Sequence, residues 1–183
     1  FVSNFAVYHQ RYSTNTFPTW KLAQPFRVLA HNGEINTVKG NVNWMASHET
    51  RMAHPSFDEL IEDIKPVVQS GSSDSAALDA TFELMVRSGR DLPMVKTMCI
   101  PEAWTEGDDL PQSWRDLYAY ANAVMEPWDG PAAIAAYGGR WVLGGMDRNG
   151  LRPLRYSVTD DGLLIGGSEA GMVRVDEAHI IEK

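Results

Sequence analysis

Four positions carry groups suited to handling a small charged molecule: Arg11, the pair Asn32-Gly33, and Asp74. Arg11 borders a polar loop. Its guanidinium can pair in bidentate fashion with a carboxylate, although an arginine so placed is more ordinarily a surface ion pair. Asn32-Gly33 follows an apolar run. Such a dipeptide is most often a turn, yet it can also aim a backbone N–H and a side-chain amide at one point, the equipment that stabilises an oxyanion. Asp74, within Ser72-Ser73-Asp74-Ser75, falls where a helix begins. An acidic residue there suits the helix dipole, and its carboxylate can equally receive a ligand's ammonium group.

The other chemistry-bearing residues read as structural. Cys99 lies late in an apolar helical stretch between Met98 and Ile100, without a glycine elbow or a suggestively spaced base. It reads as a buried, inert thiol. The histidines, His9, His31, His48, His54 and His179, form no His-x-x-x-His pair of the metal-binding kind. Gly166-Gly167-Ser168-Glu169-Ala170-Gly171 is glycine-rich but does not fit a dinucleotide fingerprint, and reads as a loop at a strand end.

Elements must position these residues. Alternation at Phe5, Val7 and His9 predicts a strand running into Arg11. Phe26 to Ala30 predicts a short apolar strand ending in a tight turn at Asn32-Gly33. A helix is expected over about 37–53, with Val38, Val42 and Met45 on one face. The stretch from Asp58 to Val68 is ambiguous. Ser70-Gly71-Ser72-Ser73 is a loop and a cap for a helix bearing Leu78, Phe82 and Met85, with Gly89 at its C-terminal end. Further helices are predicted over Leu92–Cys99, with Pro93 in the first turn, and from about Gln112 to Val124. From Ala132 the texture turns to short β segments, with hairpin turns at Gly138-Gly139 and Asp161-Gly162. Strands first, helices in the middle and a closing meander predict an α+β fold with helices packed on an antiparallel sheet, in one domain.

The 183 residues are 44% hydrophobic and 22% charged, ordinary for a globular chain with a substantial core. A net charge of −8 disfavours nucleic acid and anionic membrane surfaces as partners. With no long apolar run, no signal-peptide pattern and a single cysteine, a cytoplasmic location is expected. The start at Phe1 and the end at Ile180-Ile181-Glu182-Lys183, itself strand-like, suggest a domain truncated at both ends.

Taken together and in order, several strings carry a resemblance. HQRYSTNTFPTW at 9–20, HNGEIN at 31–36, SGSSDS at 70–75 and DRNGLRPLRY at 147–156 resemble segments of the class II glutamine amidotransferases. TFPTWKLAQPFR at 16–27, PEAW at 101–104 and EPWDGPA at 126–132 are similar to the glutamate synthases within that family. The resemblance covers essentially the whole chain. It implies the N-terminal-nucleophile hydrolase fold, a four-layer αββα sandwich of two antiparallel sheets. It implies hydrolysis of L-glutamine to glutamate and ammonia, with the ammonia passed to 2-oxoglutarate for reductive glutamate synthesis. By the same resemblance Arg11 would pair with the α-carboxylate of glutamine and Asp74 with its α-ammonium, while the Asn32 amide and the Gly33 N–H would form the oxyanion hole. No cofactor is expected in these residues; FMN and an iron–sulfur cluster are implied for other domains of the parent enzyme. A reductase subunit or ferredoxin is implied as electron-donating partner, beside the remaining synthase domains. The family's nucleophile is an N-terminal cysteine whose own α-amino group is the base. It is absent from this sequence, so the chain as given is expected to be inactive. Another class II amidotransferase, or a non-catalytic amino-acid-binding or structural module, are the alternatives.

Overall fold

The computed structural model describes residues 1–10, 16–105 and 108–183. Arg11 lies outside the described residues.

The first sheet joins β1 (Leu29–Gly33), β2 (Ala132–Gly138) and β3 (Trp141–Met146), in that order and all antiparallel. The second joins β4 (Arg155–Thr159), β5 (Leu164–Gly167) and β6 (Ile180–Glu182), with β4 in the centre and antiparallel to both neighbours. Between β1 and β2 the chain forms four helices among the described residues: α1 (Val38–Glu49), α2 (Asp74–Arg87), α3 (Leu92–Cys99) and α4 (Gln112–Val124). Helix α2 packs on β1, α3 packs on β2 and β3, and β5 lies against β2. The protein is therefore α+β, with helices against the first sheet and the second sheet beside it. This is the arrangement expected for an N-terminal-nucleophile hydrolase domain.

Local sequence accounts for the helices. Ser73 caps α2, its side chain accepting the Ala76 N–H, and Leu78, Phe82 and Met85 recur at helical spacing on its buried face. The helix stops in a Schellman turn. Gly89, at φ 90°, donates to the Val86 carbonyl, and Arg90 donates to that of Met85. Pro93 stands in the first turn of α3, where a missing N–H costs nothing. Leu29, Leu78, Phe82, Leu92, Val95, Ile134 and Trp128 form the core between helices and first sheet. β1 is buried on both faces over Leu29, Ala30 and His31. No helix among the described residues is long and apolar enough to cross a membrane.

Among the described residues, the second edge of β1 is closed by side chains rather than by another strand. Asp79 of α2 accepts the N–H groups of Val28 and Leu29 at 2.9 and 3.0 Å. The Gln24 amide pairs with His31 in both directions, accepting its N–H and donating to its carbonyl. An unpaired strand edge is thus satisfied inside the fold.

Three expectations need correction. Residues 1–10 form no strand. Phe5 stacks near the Tyr137 ring, and Tyr8 donates to the Met172 carbonyl. Alternating side chains there meet two environments without a neighbouring strand to pair with, and alternation does not report backbone pairing. Secondly, Asn32-Gly33 is no tight turn. The strand starts three residues later than predicted, and both residues lie inside β1, opposite Ala133 and Ala132. Gly33 has φ 150°, an extended mirror-image conformation open to glycine. Helix α1 also ends earlier than predicted, at Glu49, because Thr50, Arg51 and Met52 tighten into i→i+3 turns.

Candidate functional site

The C-terminal end of β1 and the N-terminus of α2 meet. Asp74, the first residue of α2, accepts the backbone N–H of Ile35 through Oδ2 at 2.8 Å. Its Oδ1 accepts the Ser75 N–H at 2.7 Å and lies 3.3 Å from the Ser75 hydroxyl. Two segments 39 positions apart are thereby clamped together, the β1 side of the clamp being Ile35, which follows Gly33 by one intervening residue. Asn32 is half-buried, Gly33 exposed and Asp74 half-buried, so this corner is open to a small molecule.

Three carbonyls hold the chain that leaves β1. Glu34 N–H donates to Pro131 at 2.9 Å, and Asn36 N–H to Asp129 at 2.7 Å. Asn41 of α1 donates from its amide to Pro127 at 3.0 Å. The segment 127–131 therefore buttresses 34–41, with Trp128 only 1% exposed as its anchor in the core. Gly130, at φ 141°, allows this approach: a Cβ there would lie 2.0 Å from the Glu34 carbonyl oxygen. This explains physically why the 31–36 and 126–132 strings occur in one chain.

Beneath the corner lies His31, 2% exposed, with Nδ1 at 2.8 Å from the Ser75 hydroxyl. Burial pushes its pKa below 6.5. The Asp74 charge and the Pro131 carbonyl oppose that shift, while His9 and Arg152 add to it. Burial wins, and the ring is neutral at pH 7. As pH falls below 6.5, the unfolded chain takes up a proton that the folded His31 resists, so stability contributed above 6.5 is lost on acidification. Each tenfold weakening of proton uptake is worth about 1.4 kcal/mol. We expect the melting temperature of the wild type to fall more between pH 7.5 and 5.5 than that of His31→Gln. Parallel pH profiles would contradict this.

Two further residues of the corner were not singled out by sequence reasoning. The Asn32 amide donates to the Ser168 hydroxyl at 2.9 Å, so the loop after β5 reaches from the second sheet to the end of β1. Asp147, after β3, accepts four backbone N–H groups, among them that of Ala132, the β2 partner of Gly33. Spacing alone signals neither contact. The expected burial of Cys99 holds: it is fully buried against Met85, and burial pushes its thiol pKa far up. Asn32, Gly33 and Asp74 are brought to one corner; Arg11 is outside the described residues.

The comparisons agree with this geometry. The sequence pattern described as "Glutamine amidotransferases class-II" matches residues 1–183. A protein named glutamate synthase [NADPH] large chain, from Azospirillum brasilense, is 66% identical over 183 residues, all of this chain and 12% of that protein. The Bacillus subtilis protein of the same name is 46% identical over 183 residues, again all of this chain and 12% of the relative. A ferredoxin-dependent glutamate synthase 2 from Synechocystis is 46% identical over 187 residues, with the same coverage of 100% and 12%. The chain thus spans about 12% of the length of the curated relatives it matches. With a corner built from the ends of β1 and α2 and a pattern matched from first residue to last, the chain belongs to the class-II glutamine amidotransferases.

Proposed function

We propose that residues 1–183 form a single domain that is the glutamine-hydrolysing part of a glutamate synthase, releasing glutamate and ammonia from L-glutamine. The observation that carries the reading is the clamp between Asp74 and the Ile35 N–H, 2.8 Å, which sets an acidic side chain beside the end of β1 where Asn32 and Gly33 stand. In this reading Asp74 receives the α-ammonium of glutamine and Arg11 its α-carboxylate. A zwitterion is read only by two opposite charges at a fixed separation. The Asn32 amide and the Gly33 N–H would stabilise the tetrahedral oxyanion. Oδ2 of Asp74 has a lone pair beyond the one engaged with Ile35, whereas Oδ1 is taken up by the Ser75 N–H and hydroxyl, so the clamp and an ammonium contact through Oδ2 are compatible.

In this reading the nucleophile is a cysteine supplied from outside these residues. The one cysteine present is sealed in the core with its thiol held protonated. We therefore infer that residues 1–183 alone release no ammonia. In the longer protein, ammonia would pass to 2-oxoglutarate for reductive synthesis of a second glutamate. FMN and an iron–sulfur cluster would sit in other domains, and a reductase subunit or ferredoxin would supply electrons. The relatives' names, both NADPH- and ferredoxin-dependent, support that range of donors.

Steady-state glutamine hydrolysis by the full-length protein tests the reading. Asn32→Ala is expected to lower kcat by about 100- to 1000-fold with a small change in KM. Asp74→Asn and Arg11→Ala are expected to raise KM chiefly. A full-length protein that releases no ammonia from glutamine, or an Asn32→Ala variant of unchanged kcat, would refute it.

A further inference from the structure

The Asn32 side chain has two N–H bonds, and one of them is already committed. It donates to Ser168 Oγ at 2.9 Å, across 136 positions of sequence and from one sheet to the other. Ser168 is itself well anchored. It follows β5 directly, where Gly167 pairs with Arg155 and Gly166 with Tyr156. Gly167 leaves room for Met172, whose Cε would lie 2.2 Å from a Cβ at that position. The serine thus sits one residue beyond a paired ladder, at the start of the loop that follows β5.

An amide that is to stabilise developing charge must be in place before the charge appears, since reorganisation at that moment is the cost a pre-organised site avoids. An asparagine at a strand end has two free torsions and a nearly symmetric head group. Tying one N–H to a fixed hydroxyl restrains both torsions and leaves the other N–H for the substrate. We propose that Ser168 is a positioning residue for glutamine hydrolysis, holding the Asn32 amide in register for the oxyanion. This rests on the reading of Asn32 given above. It assigns the loop after β5 a role in catalysis and couples the two sheets at the active corner.

The test is glutamine hydrolysis by the full-length enzyme in wild type, Ser168→Ala, Ser168→Thr, Asn32→Ala and the double variant. Ser168→Ala is expected to lower kcat about tenfold or more while KM for glutamine moves less than about threefold, because the lost interaction matters only in the transition state. Ser168→Thr, which keeps the hydroxyl, restores kcat to within about threefold of wild type. In the Asn32→Ala background the serine change should have no further effect. Should Ser168→Ala lose its fold by circular dichroism, Ser168→Cys, nearly isosteric and a poor acceptor, carries the same expectation. An unchanged kcat in Ser168→Ala beside a crippled Asn32→Ala overturns this proposal and leaves the proposed function standing. So does an equal loss in both backgrounds, which marks a merely structural serine. An active Asn32→Ala overturns both.

Discussion

Gly33→Ala is expected to lower kcat for glutamine hydrolysis by at least about 100-fold and to cost about 2–4 kcal/mol of stability. A Cβ at Gly33 would lie 1.8 Å from the Pro131 carbonyl oxygen and 2.7 Å from its carbon. The obstacle is backbone, so no side chain can swing away. That same carbonyl accepts the Glu34 N–H at 2.9 Å, and Gly130 next to it is pressed equally hard against the Glu34 carbonyl. The φ of 150° adds conformational strain for any residue with a Cβ. Relief is available only by parting the end of β1 from the start of β2, which displaces Asn32 and the Gly33 N–H together. A displacement of about 1 Å in a positioned group is enough for a hundredfold loss. Gly71→Ala is the control. Its φ is 76°, but a Cβ there meets nothing within 4 Å, so the change should cost about 1–2 kcal/mol of backbone strain and leave kcat unaltered. Hydrolysis rates and thermal unfolding of the two full-length variants make the comparison. A Gly33→Ala enzyme as active and as stable as Gly71→Ala would remove the close-approach argument.

The elements that sequence reasoning placed well are those whose signals are local. The Ser73 cap, the Gly89 turn, Pro93 at the head of α3 and the bounds of α4 at Gln112–Val124 all depend on neighbours within a few positions. The hairpin turns were legible for the same reason, with Gly139 at φ 59° and Gly162 at φ 85°. What failed was information about partners. Phe5, Val7 and His9 alternate as a strand does, yet no strand forms there. Asn32-Gly33 has the composition of a turn, yet both residues pair within β1. Motif resemblance brought Asn32, Gly33 and Asp74 forward as a set. From each alone, a turn, or an acidic residue suited to a helix dipole, was the better account; in the structure Asp74 begins α2 and also clamps Ile35, a contact that its position in sequence does not signal. The Asn32–Ser168 and His31–Ser75 contacts and the tie from Asp147 to Ala132 were invisible because they join positions from 15 to 136 apart.

Asp147 carries the largest stability prediction. It is 6% exposed, and its two oxygens accept four backbone N–H groups. Oδ2 takes those of Ala132 and Arg152 at 2.9 Å each; Oδ1 takes those of Asn149 at 3.0 Å and Leu151 at 2.9 Å. One carboxylate thus closes the loop between β3 and β4 and ties it to the first residue of β2. Asp147→Ala leaves several buried donors unpaired and is expected to cost about 3–5 kcal/mol. The isosteric Asp147→Asn is the sharper test. Whichever oxygen becomes NH2 would then face two N–H donors, so shape is kept while acceptor capacity is halved, at an expected cost of about 2–3 kcal/mol. The pH dependence separates this from a packing effect. Burial pushes the Asp147 pKa up, but the four N–H groups pull it down further, to below 3.8. Its contribution is therefore present above pH 3.8 and is lost as pH falls through the lowered folded value. The advantage of wild type over Asp147→Asn in urea unfolding should be full at pH 7 and shrink only in acid below 3.8. A difference under about 0.5 kcal/mol at pH 7, or one that does not depend on acid, would show that the four short contacts carry little weight. Because Ala132 is the register partner of Gly33, a loosened Asp147 should also lower kcat. That loss should follow temperature as the start of β2 melts, which a direct catalytic role would not produce.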